Sequence, residues 1–355
     1  MTMHSSLLVV DGTQYSNWNR QIFEEMRAGG VTAVNATIVY WENARETLSR
    51  IAEWNALYEQ HSDLVMPART MDDVLRAKRI GKIAILYGLQ NCSPIEDDIG
   101  LVEVFRDLGV RTMQLTYNNQ SPLATGCYES SDSGITRFGR VVIKEMNRVG
   151  MVVDMSHSAE RSTLEAIDIS GQPIVISHAN PSFFHEAKRN KSDDVLRALA
   201  ARGGLVGFSL YPFHLKNGSR CTRGEFTDMV ARTVDLLGID HVGIGSDLCQ
   251  GQPYSVLEWM RNGRWSKETD FGEGSASNAA WPEPVSWFRS SADFPNLTEA
   301  LDHAGFAEAD VAKIMGGNWM RILRDAENIR FPKADETPDM AGSAAAVQCF
   351  NDLAA

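Results

Sequence analysis

Short runs of apolar, β-branched residues alternate with longer amphipathic stretches through the first 250 residues of the chain. The apolar runs have the length of buried strands, and the stretches between them are long enough for covering helices. Strands that alternate with helices indicate a parallel sheet. The predicted strands are residues 6–11, 31–37, 83–90, 110–117, 151–155, 173–177, 204–210 and 241–246. Because eight parallel strands can close on themselves, the pattern predicts an α/β fold, a (β/α)8 TIM barrel.

The amphipathic stretches predict helices at 41–62, 96–107, 135–149, 158–169, 191–202 and 223–238. Residues 297–325 have helical periodicity again, which predicts a C-terminal helical extension of the barrel. The segment 248–295 departs from the alternation, being rich in Trp, Gly, Ser and Pro. Because it follows the last strand, we expect a lid over the barrel mouth or an interface insertion. The prediction is one domain over 1–330 and a loosely ordered tail over 331–355.

Composition narrows the possible partners. The chain has 355 residues, 43% of them hydrophobic, and a formal net charge of -12. Without a cluster of Lys and Arg it has no surface for phosphates, so we expect a small-molecule partner and no nucleic acid. No apolar stretch is long enough to cross a membrane, and the start reads as too short for a signal peptide. Five scattered cysteines without a CxxC pair favour reduced thiols, so we expect a cytoplasmic protein.

Three predicted strands end on side chains that bind metals. The runs MVVDMSH, PIVISH and HVGIGSD end on His157, His178 and Asp247. The carboxyl ends of the strands form the mouth of a parallel barrel, where such folds carry their chemistry. Two imidazoles and a carboxylate there predict a metal hydrolase, in which Asp247 is a ligand or the base that accepts a proton from water. The alternatives are polar residues at the barrel rim and a turn aspartate that caps the next helix.

Other polar residues near the strand ends have less definite assignments. Arg189 could bind a substrate carboxylate through its fork of donors, or it could be a solvated loop charge. Asp154 could support the site or pair within the core, and both alternatives stay open. Nothing in the sequence sets His185 and His214 apart from ordinary surface histidines.

Five motifs together resemble the membrane (renal) dipeptidase family of metallopeptidases, a branch of the amidohydrolase-like barrels. They are DMSH, VISHAN, RNKSD, GIGSD and GGNWMRIL, in this order along the chain. The resemblance runs from about residue 7 to residue 325. It implies a (β/α)8 barrel, zinc-dependent cleavage of small dipeptides and, often, a homodimer.

The resemblance also implies roles for individual positions. Members of the family hold two zinc ions, and the histidines that match His157 and His178 bind one of them. The aspartate that matches Asp247 binds the other zinc ion. The arginine that matches Arg189 meets the substrate carboxylate, and the tyrosine that matches Tyr211 lines the substrate pocket.

Four positions depart from the family pattern. The first strand reads DGTQY, so Thr13 and Tyr15 stand where the family has a metal-binding histidine and aspartate. Gln90 replaces the glutamate that bridges the two ions, and Tyr117 replaces a histidine that assists at the reacting carbonyl. Two adjacent cations repel and need a shared anion. We therefore predict one zinc ion rather than two, with Gln90 or Asp247 and water completing the ligands of the two histidines.

The combined prediction is a divergent, dipeptidase-like metal hydrolase that acts on a small dipeptide or an amide-containing carboxylate and forms a homo-oligomer. Asp247 and Tyr117 are the predicted catalytic residues, Asp247 as proton acceptor and Tyr117 as hydrogen-bond donor to the oxyanion. The predicted substrate-binding residues are Arg189, Tyr211, Gln90 and Tyr15. Two alternatives stay open: a related enzyme with changed chemistry, such as opening of a cyclic amide or lactone or a non-hydrolytic reaction, and a catalytically inactive ligand-binding homologue.

Overall fold

The structure, a computed structural model, describes residues 2–268, 272 and 274–330. Within that part of the chain nine parallel strands form one sheet. They are β1 (Val10–Gln14), β2 (Ala33–Val39), β3 (Val65–Pro67), β4 (Ile83–Leu89), β5 (Val110–Gln114), β6 (Val152–Asp154), β7 (Val175–Ile176), β8 (Leu205–Phe208) and β9 (Val242–Ile244). Eight follow the order β1-β2-β4-β5-β6-β7-β8-β9, and β3 pairs beside β4.

The segment after β9 closes the barrel against β1. The Asp247 amide donates to the carbonyl of Thr13 at 3.0 Å, and the Tyr15 amide donates to the carbonyl of Leu248 at 2.9 Å. The Asp11 carboxylate adds two bonds, from the Ser246 amide at 2.7 Å and the Ser246 hydroxyl at 2.5 Å. The predicted (β/α)8 barrel is confirmed, and these contacts place the end of β9 beside the end of β1.

The described chain has thirteen α-helices, several of which begin at polar caps and cover the sheet. They are α1 (Met3–Ser6), α2 (Arg20–Ala28), α3 (Ala44–Gln60), α4 (Met71–Ile80), α5 (Gly100–Leu108), α6 (Arg137–Val149), α7 (Glu160–Ile169), α8 (Asp193–Ala201), α9 (Arg223–Leu237), α10 (Tyr254–Asn262), α11 (Phe294–His303), α12 (Glu308–Ala312) and α13 (Asn318–Arg330). Asn43, Thr70 and Thr222 each form a capping box with an acidic residue three positions later. All six predicted barrel helices are present, with ends shifted by up to four residues.

Two differences from the predicted strands have a local cause. The first strand begins at Val10 rather than residue 6, because residues 3–6 form helix α1. The short strand β3 is absent from the prediction. It has three residues, of which only Val65 is buried, and three residues are too few to show a period.

Helix α13 closes the end of the barrel opposite the mouth. Trp319 is 1% exposed and packs with the inward-facing residues Val10, Val152 and Leu205. Its indole N–H donates to the Ile244 carbonyl at 2.8 Å. The ring approaches Gly12 so closely that a Cβ there would lie 2.1 Å from it. The C-terminal extension is therefore part of the barrel core, and the polar residues are left for the mouth.

The segment that was predicted as a lid or interface carries helix α10, which lies at the mouth. The Trp41 indole donates to the Met260 carbonyl at 3.2 Å, and the Trp259 indole donates to Glu42 at 3.3 Å. The predicted tail, 331–355, lies outside the described residues. Of the cysteines that the structure describes, Cys92, Cys127, Cys221 and Cys249 are free thiols. Among the helices of the described chain, none combines the length and the hydropathy needed to cross a bilayer.

Candidate active site

The ends of β6 and β7 bring two imidazoles together at the barrel mouth. His157 lies three residues after β6 and His178 two residues after β7. Their Nε2 atoms are 3.0 Å apart, and both side chains are buried. Two nitrogens on one tetrahedral zinc, each at about 2.0–2.1 Å, are about 3.3–3.4 Å apart. The observed separation therefore needs only a small outward shift to admit a zinc ion.

The surroundings of His157 fix which of its nitrogens carries the proton. Its Nδ1 lies 2.6 Å from Asn118 Oδ1, an acceptor, so Nδ1 is the donor and Nε2 has the lone pair. Gln90 Oε1, also an acceptor, lies 3.1 Å from that Nε2. The Gln90 amide N–H donates to Thr37 Oγ1 at 2.8 Å, which holds its oxygen toward the imidazole. Two acceptors that face each other without a proton between them suit a cation, so these residues fit a zinc ion.

The surroundings of both imidazoles favour the neutral form. Burial is the largest cause that holds the pKa of His157 and of His178 well below the usual value, and the positive charge of Arg189 is the next. Since an imidazole must be neutral to bind a metal, this environment favours a ligand role over a proton-donor role.

Asp247 lies in the same pocket in an unusual backbone conformation. Its φ is 58°, the left-handed region that aspartate tolerates better than most residues. Burial raises the pKa of its carboxyl to about 7, Arg189 opposes this shift, and Asp11 adds to it. In the part of the chain that the structure describes, no group of three His, Cys, Asp or Glu side chains is placed to hold a metal. The geometry thus assembles His157 with His178, while Asp247 as their co-ligand stays a prediction.

Tyr117 and Asn118 follow β5 and complete the wall beside His157. The Tyr117 ring stacks on the His157 ring, with centroids 4.2 Å apart and planes at 26°. Burial raises the pKa of its phenol above the usual value, so the hydroxyl keeps its proton. The pocket is lined by Gln90, Tyr117, Asn118, Tyr128, His157, Arg189, Tyr211, Phe213, His214, Asp247, Cys249, Leu257, Met260, Arg261 and Gly272.

The predicted substrate-binding residues have different positions. Arg189 is 3% exposed, and its guanidinium donates to the backbone carbonyls of Ser156 and His178. The alternative of a solvated loop charge is therefore wrong. Tyr211 and Gln90 line the pocket, whereas Tyr15 lies beside it, with its ring edge-on to Tyr40 at 4.7 Å. Tyr15 lines a neighbouring groove on the α3 side of the mouth.

Sequence reasoning missed three residues of this region. His214, expected at the surface, is 3% exposed, lines the pocket and bonds Ser209 Oγ through Nδ1 at 2.8 Å. Asn118 orients His157 but follows Tyr117 in a polar run that gave no reason to single it out. Lys191 is also buried, and its ammonium donates to the Ser158 carbonyl at 2.6 Å. Its place in the RNKSD motif was the available signal.

A (β/α)8 barrel with paired imidazoles at the carboxyl ends of its strands is an arrangement typical of metal-dependent hydrolases. The family comparison is more specific. The model of the membrane dipeptidase family, peptidase family M19, matches residues 10–262, and the chain belongs to this family.

Individual relatives agree with this assignment. An amidohydrolase from Pseudomonas aeruginosa is 40% identical, with a TM-score of 0.84 over 91% of this chain and 98% of that one. Dipeptidase tcpJ from Claviceps purpurea is 29% identical over 294 residues, which are 82% of this chain. The match spans 62% of the length of that fungal dipeptidase. A Rhodobacter sphaeroides metallopeptidase, solved with a phosphinate mimic of L-Ala-D-Ala, shares the fold at 17% identity and a TM-score of 0.72.

Proposed function

We propose that this protein is a metal-dependent hydrolase that cleaves the amide bond of a small dipeptide or of a related amide-containing carboxylate, with one zinc ion. The observation that carries the proposal is the close approach of His178 Nε2, at 3.0 Å, and of Gln90 Oε1, at 3.1 Å, to His157 Nε2. Zinc bound by these atoms would supply Lewis acidity, which activates water and polarises a carbonyl. The family membership and the dipeptidase names of its relatives support the substrate class.

The other pocket residues have roles that follow from their chemistry. Asp247 accepts the proton of the attacking water, since a carboxylate is a suitable base at this position. The Tyr117 hydroxyl stays protonated and donates a hydrogen bond to the oxyanion that develops on the substrate carbonyl. Arg189 places a fixed positive charge in the pocket, which favours a substrate carboxylate, and Tyr211 lines the same pocket.

Metal content and turnover test the proposal together. Protein purified without chelators should contain about one zinc ion per chain and hydrolyse members of a dipeptide panel that includes both stereoisomers at each position. His157→Ala and His178→Ala should lose both properties. His303→Ala, at an exposed position of α11, is the matched control and should keep both. A wild-type protein with neither zinc nor hydrolysis would contradict the proposal.

A second candidate is hydrolysis of a cyclic amide or lactone. Two of the positions that depart from the family pattern, Thr13 and Gln90, hold buried polar groups with defined partners. Thr13 Oγ1 bonds Ser177 Oγ at 3.0 Å, and Gln90 bonds Thr37 and His157. An enzyme with a different substrate would need a reshaped polar pocket of this kind. A protein that had lost its activity would not need to keep hydrogen-bond partners for these side chains. A panel of cyclic amides and lactones distinguishes the two candidates, because exclusive turnover of linear dipeptides rules out the second.

Assembly and location belong to the same proposal. We propose a homo-oligomer in the cytoplasm, as the resemblance and the cysteine pattern indicate. Trp265 beside the mouth is 52% exposed, an unusual position for an indole and a candidate contact for a second copy. Light scattering of the purified protein, with Trp265→Ser as the comparison, tests the oligomer.

A further inference from the structure

Which nitrogen of His178 carries the proton decides whether the paired imidazoles can hold a cation. A neutral imidazole has one N–H and one lone pair, and the partner of one nitrogen determines the state of the other. His178 Nε2 faces His157 Nε2, which already has a lone pair because of Asn118. If His178 carried its proton on Nε2, the two rings would bond to each other and fill the position of the ion.

The Ser177 hydroxyl is the partner of the other nitrogen, with Oγ 2.7 Å from His178 Nδ1. A hydroxyl can donate or accept, so Ser177 alone does not select a tautomer. Its own proton is directed elsewhere, because Ser177 Oγ lies 2.5 Å from Asp154 Oδ2, which can only accept. Ser177 must then accept from His178, so the imidazole proton lies on Nδ1 and the lone pair on Nε2.

Asp154 is itself held rigidly. Its Oδ1 accepts the Ser156 hydroxyl at 2.6 Å, the Ser156 amide at 3.0 Å and the Ser177 amide at 3.0 Å. Asp154 is 2% exposed, and Ser156 and Ser177 are 0% exposed. These three donors and the Ser177 hydroxyl come from the loops that carry His157 and His178, so the carboxylate is fixed relative to both rings.

We propose that Asp154 is a positioning residue which, through Ser177, holds His178 as the Nδ1–H tautomer and so prepares the cation site. The proposal rests on the proposed metal-dependent function and extends it to the residues behind the ligands. Carboxylates that orient metal-bound histidines typically change metal affinity by about 10–100-fold when they are removed. The contact here is indirect, and a serine hydroxyl transmits it.

Two hydroxyls around Asp154 provide a matched comparison. Ser156 and Ser177 are equally buried and each donates to the carboxylate, but of the two only Ser177 bonds a nitrogen of the His178 ring, Nδ1. Ser156 instead accepts the backbone amide of His178 at 3.2 Å. Loss of either hydroxyl removes a buried bond to Asp154, and loss of Ser177 also removes the bond from Thr13. Apart from that one bond, a purely structural role predicts similar effects for Ser156→Ala and Ser177→Ala.

Imidazole nitrogen NMR of the metal-free protein, with 15N-labelled histidine, reports the tautomer directly. We expect His178 to be Nδ1–H in the wild type and in Ser156→Ala. In Asp154→Asn the amide can donate to Ser177, which then donates to His178 Nδ1, so we expect Nε2–H. Zinc affinity, from competition with a chelator, should fall by about 10–100-fold in Asp154→Asn and Ser177→Ala but by less than about threefold in Ser156→Ala.

Several outcomes would overturn this proposal. These are an Nε2–H tautomer in the wild type, an unchanged Nδ1–H tautomer in Asp154→Asn, or equal losses of zinc affinity in the two serine variants. Circular dichroism and thermal unfolding identify variants that fail to fold. If Asp154→Asn fails to fold, the comparison of the two serine variants still tests the proposal. A wild-type protein that shows the expected tautomer but binds no zinc would contradict the proposed function and leave the assigned role in orienting His178 intact.

Discussion

The phenol ring of Tyr117 lies flat against the imidazole of His157, with 4.2 Å between centroids and 26° between planes. Tyr117 is 5% exposed, and the Trp41 ring packs edge-on to it, with centroids 5.3 Å apart. The tyrosine thus connects the region under helix α10 to a candidate zinc ligand. It has two separable properties, a ring that supports His157 and a hydroxyl that can reach substrate.

Substitutions of Tyr117 should separate these two properties. Tyr117→Phe keeps the stacked ring, so we expect unchanged stability and a fall in kcat/KM of about 10²-fold, because one oxyanion donor is lost. Tyr117→Ala also removes the ring and should lower the unfolding free energy by about 3–5 kcal/mol. Steady-state kinetics and urea unfolding measure the two effects. Full activity in Tyr117→Phe would rule out the hydroxyl as a donor.

Asp247 should tolerate asparagine structurally but not functionally. Its φ of 58° suits Asp and Asn, so Asp247→Asn should unfold at nearly the wild-type urea concentration. Because the amide cannot accept a proton, we expect kcat/KM to fall by about 10²–10⁴-fold. Asp247→Ala adds a backbone cost of about 1–2 kcal/mol in this conformation. An active Asp247→Asn enzyme would show that the base is another group.

The carboxyl of Asp11 should make stability depend on pH. Burial raises its pKa from 3.8 to about 6, and bonds from Ser246 and Gln14 oppose the shift. Between these two values the folded protein binds more protons than the unfolded chain, so the unfolding free energy decreases as pH rises from about 4 to 6. Above pH 6 the Asp11 carboxyl is ionised in both states, and its burial then lowers the unfolding free energy by up to about 3 kcal/mol.

Asp11→Asn removes this titration. Urea unfolding of the metal-free proteins between pH 4 and pH 7 should give a wild-type curve that declines relative to the curve of the variant. The difference between the two curves reports mainly Asp11, because the one titrating group whose pKa Asp11 is shown to raise in the site, Asp247, has a pKa of about 7, above the range in which Asp11 titrates. Parallel curves would mean that the pKa of Asp11 is the same in the folded and unfolded states.

The close contact between Gly12 in β1 and Trp319 in helix α13 should make any larger residue at position 12 destabilising. A Cβ at Gly12 would lie 2.1 Å from the Trp319 ring, so Gly12→Ala should lower the unfolding free energy by about 1–3 kcal/mol. Gly224 in α9 is the control, because a Cβ there meets no atom within 4 Å. Gly224→Ala should be neutral or stabilise by up to about 1 kcal/mol. Equal effects in urea unfolding would show that the Trp319 ring moves aside.

The local pattern of apolar and polar residues was sufficient to predict the barrel scaffold. Apolar runs of strand length and amphipathic stretches are properties of neighbouring residues, so the barrel and its six principal covering helices could be predicted. Short or atypical elements could not, as β3 and the shifted start of β1 show. The placement of His157 and His178 also followed, because consecutive parallel strands end at the same edge of the sheet.

The sequence by itself therefore determined a (β/α)8 barrel with two histidines at its mouth, since both depend on periodicity and chain order. Tertiary structure alone decided which partners surround those histidines. Asn118, Gln90 and the Asp154–Ser177 pair reach the imidazoles across different strands, and Trp319 reaches Gly12 from the other end of the chain. Hydrogen bonds, desolvation and close packing act through distances of a few ångströms in space, and separation along the chain does not specify these distances.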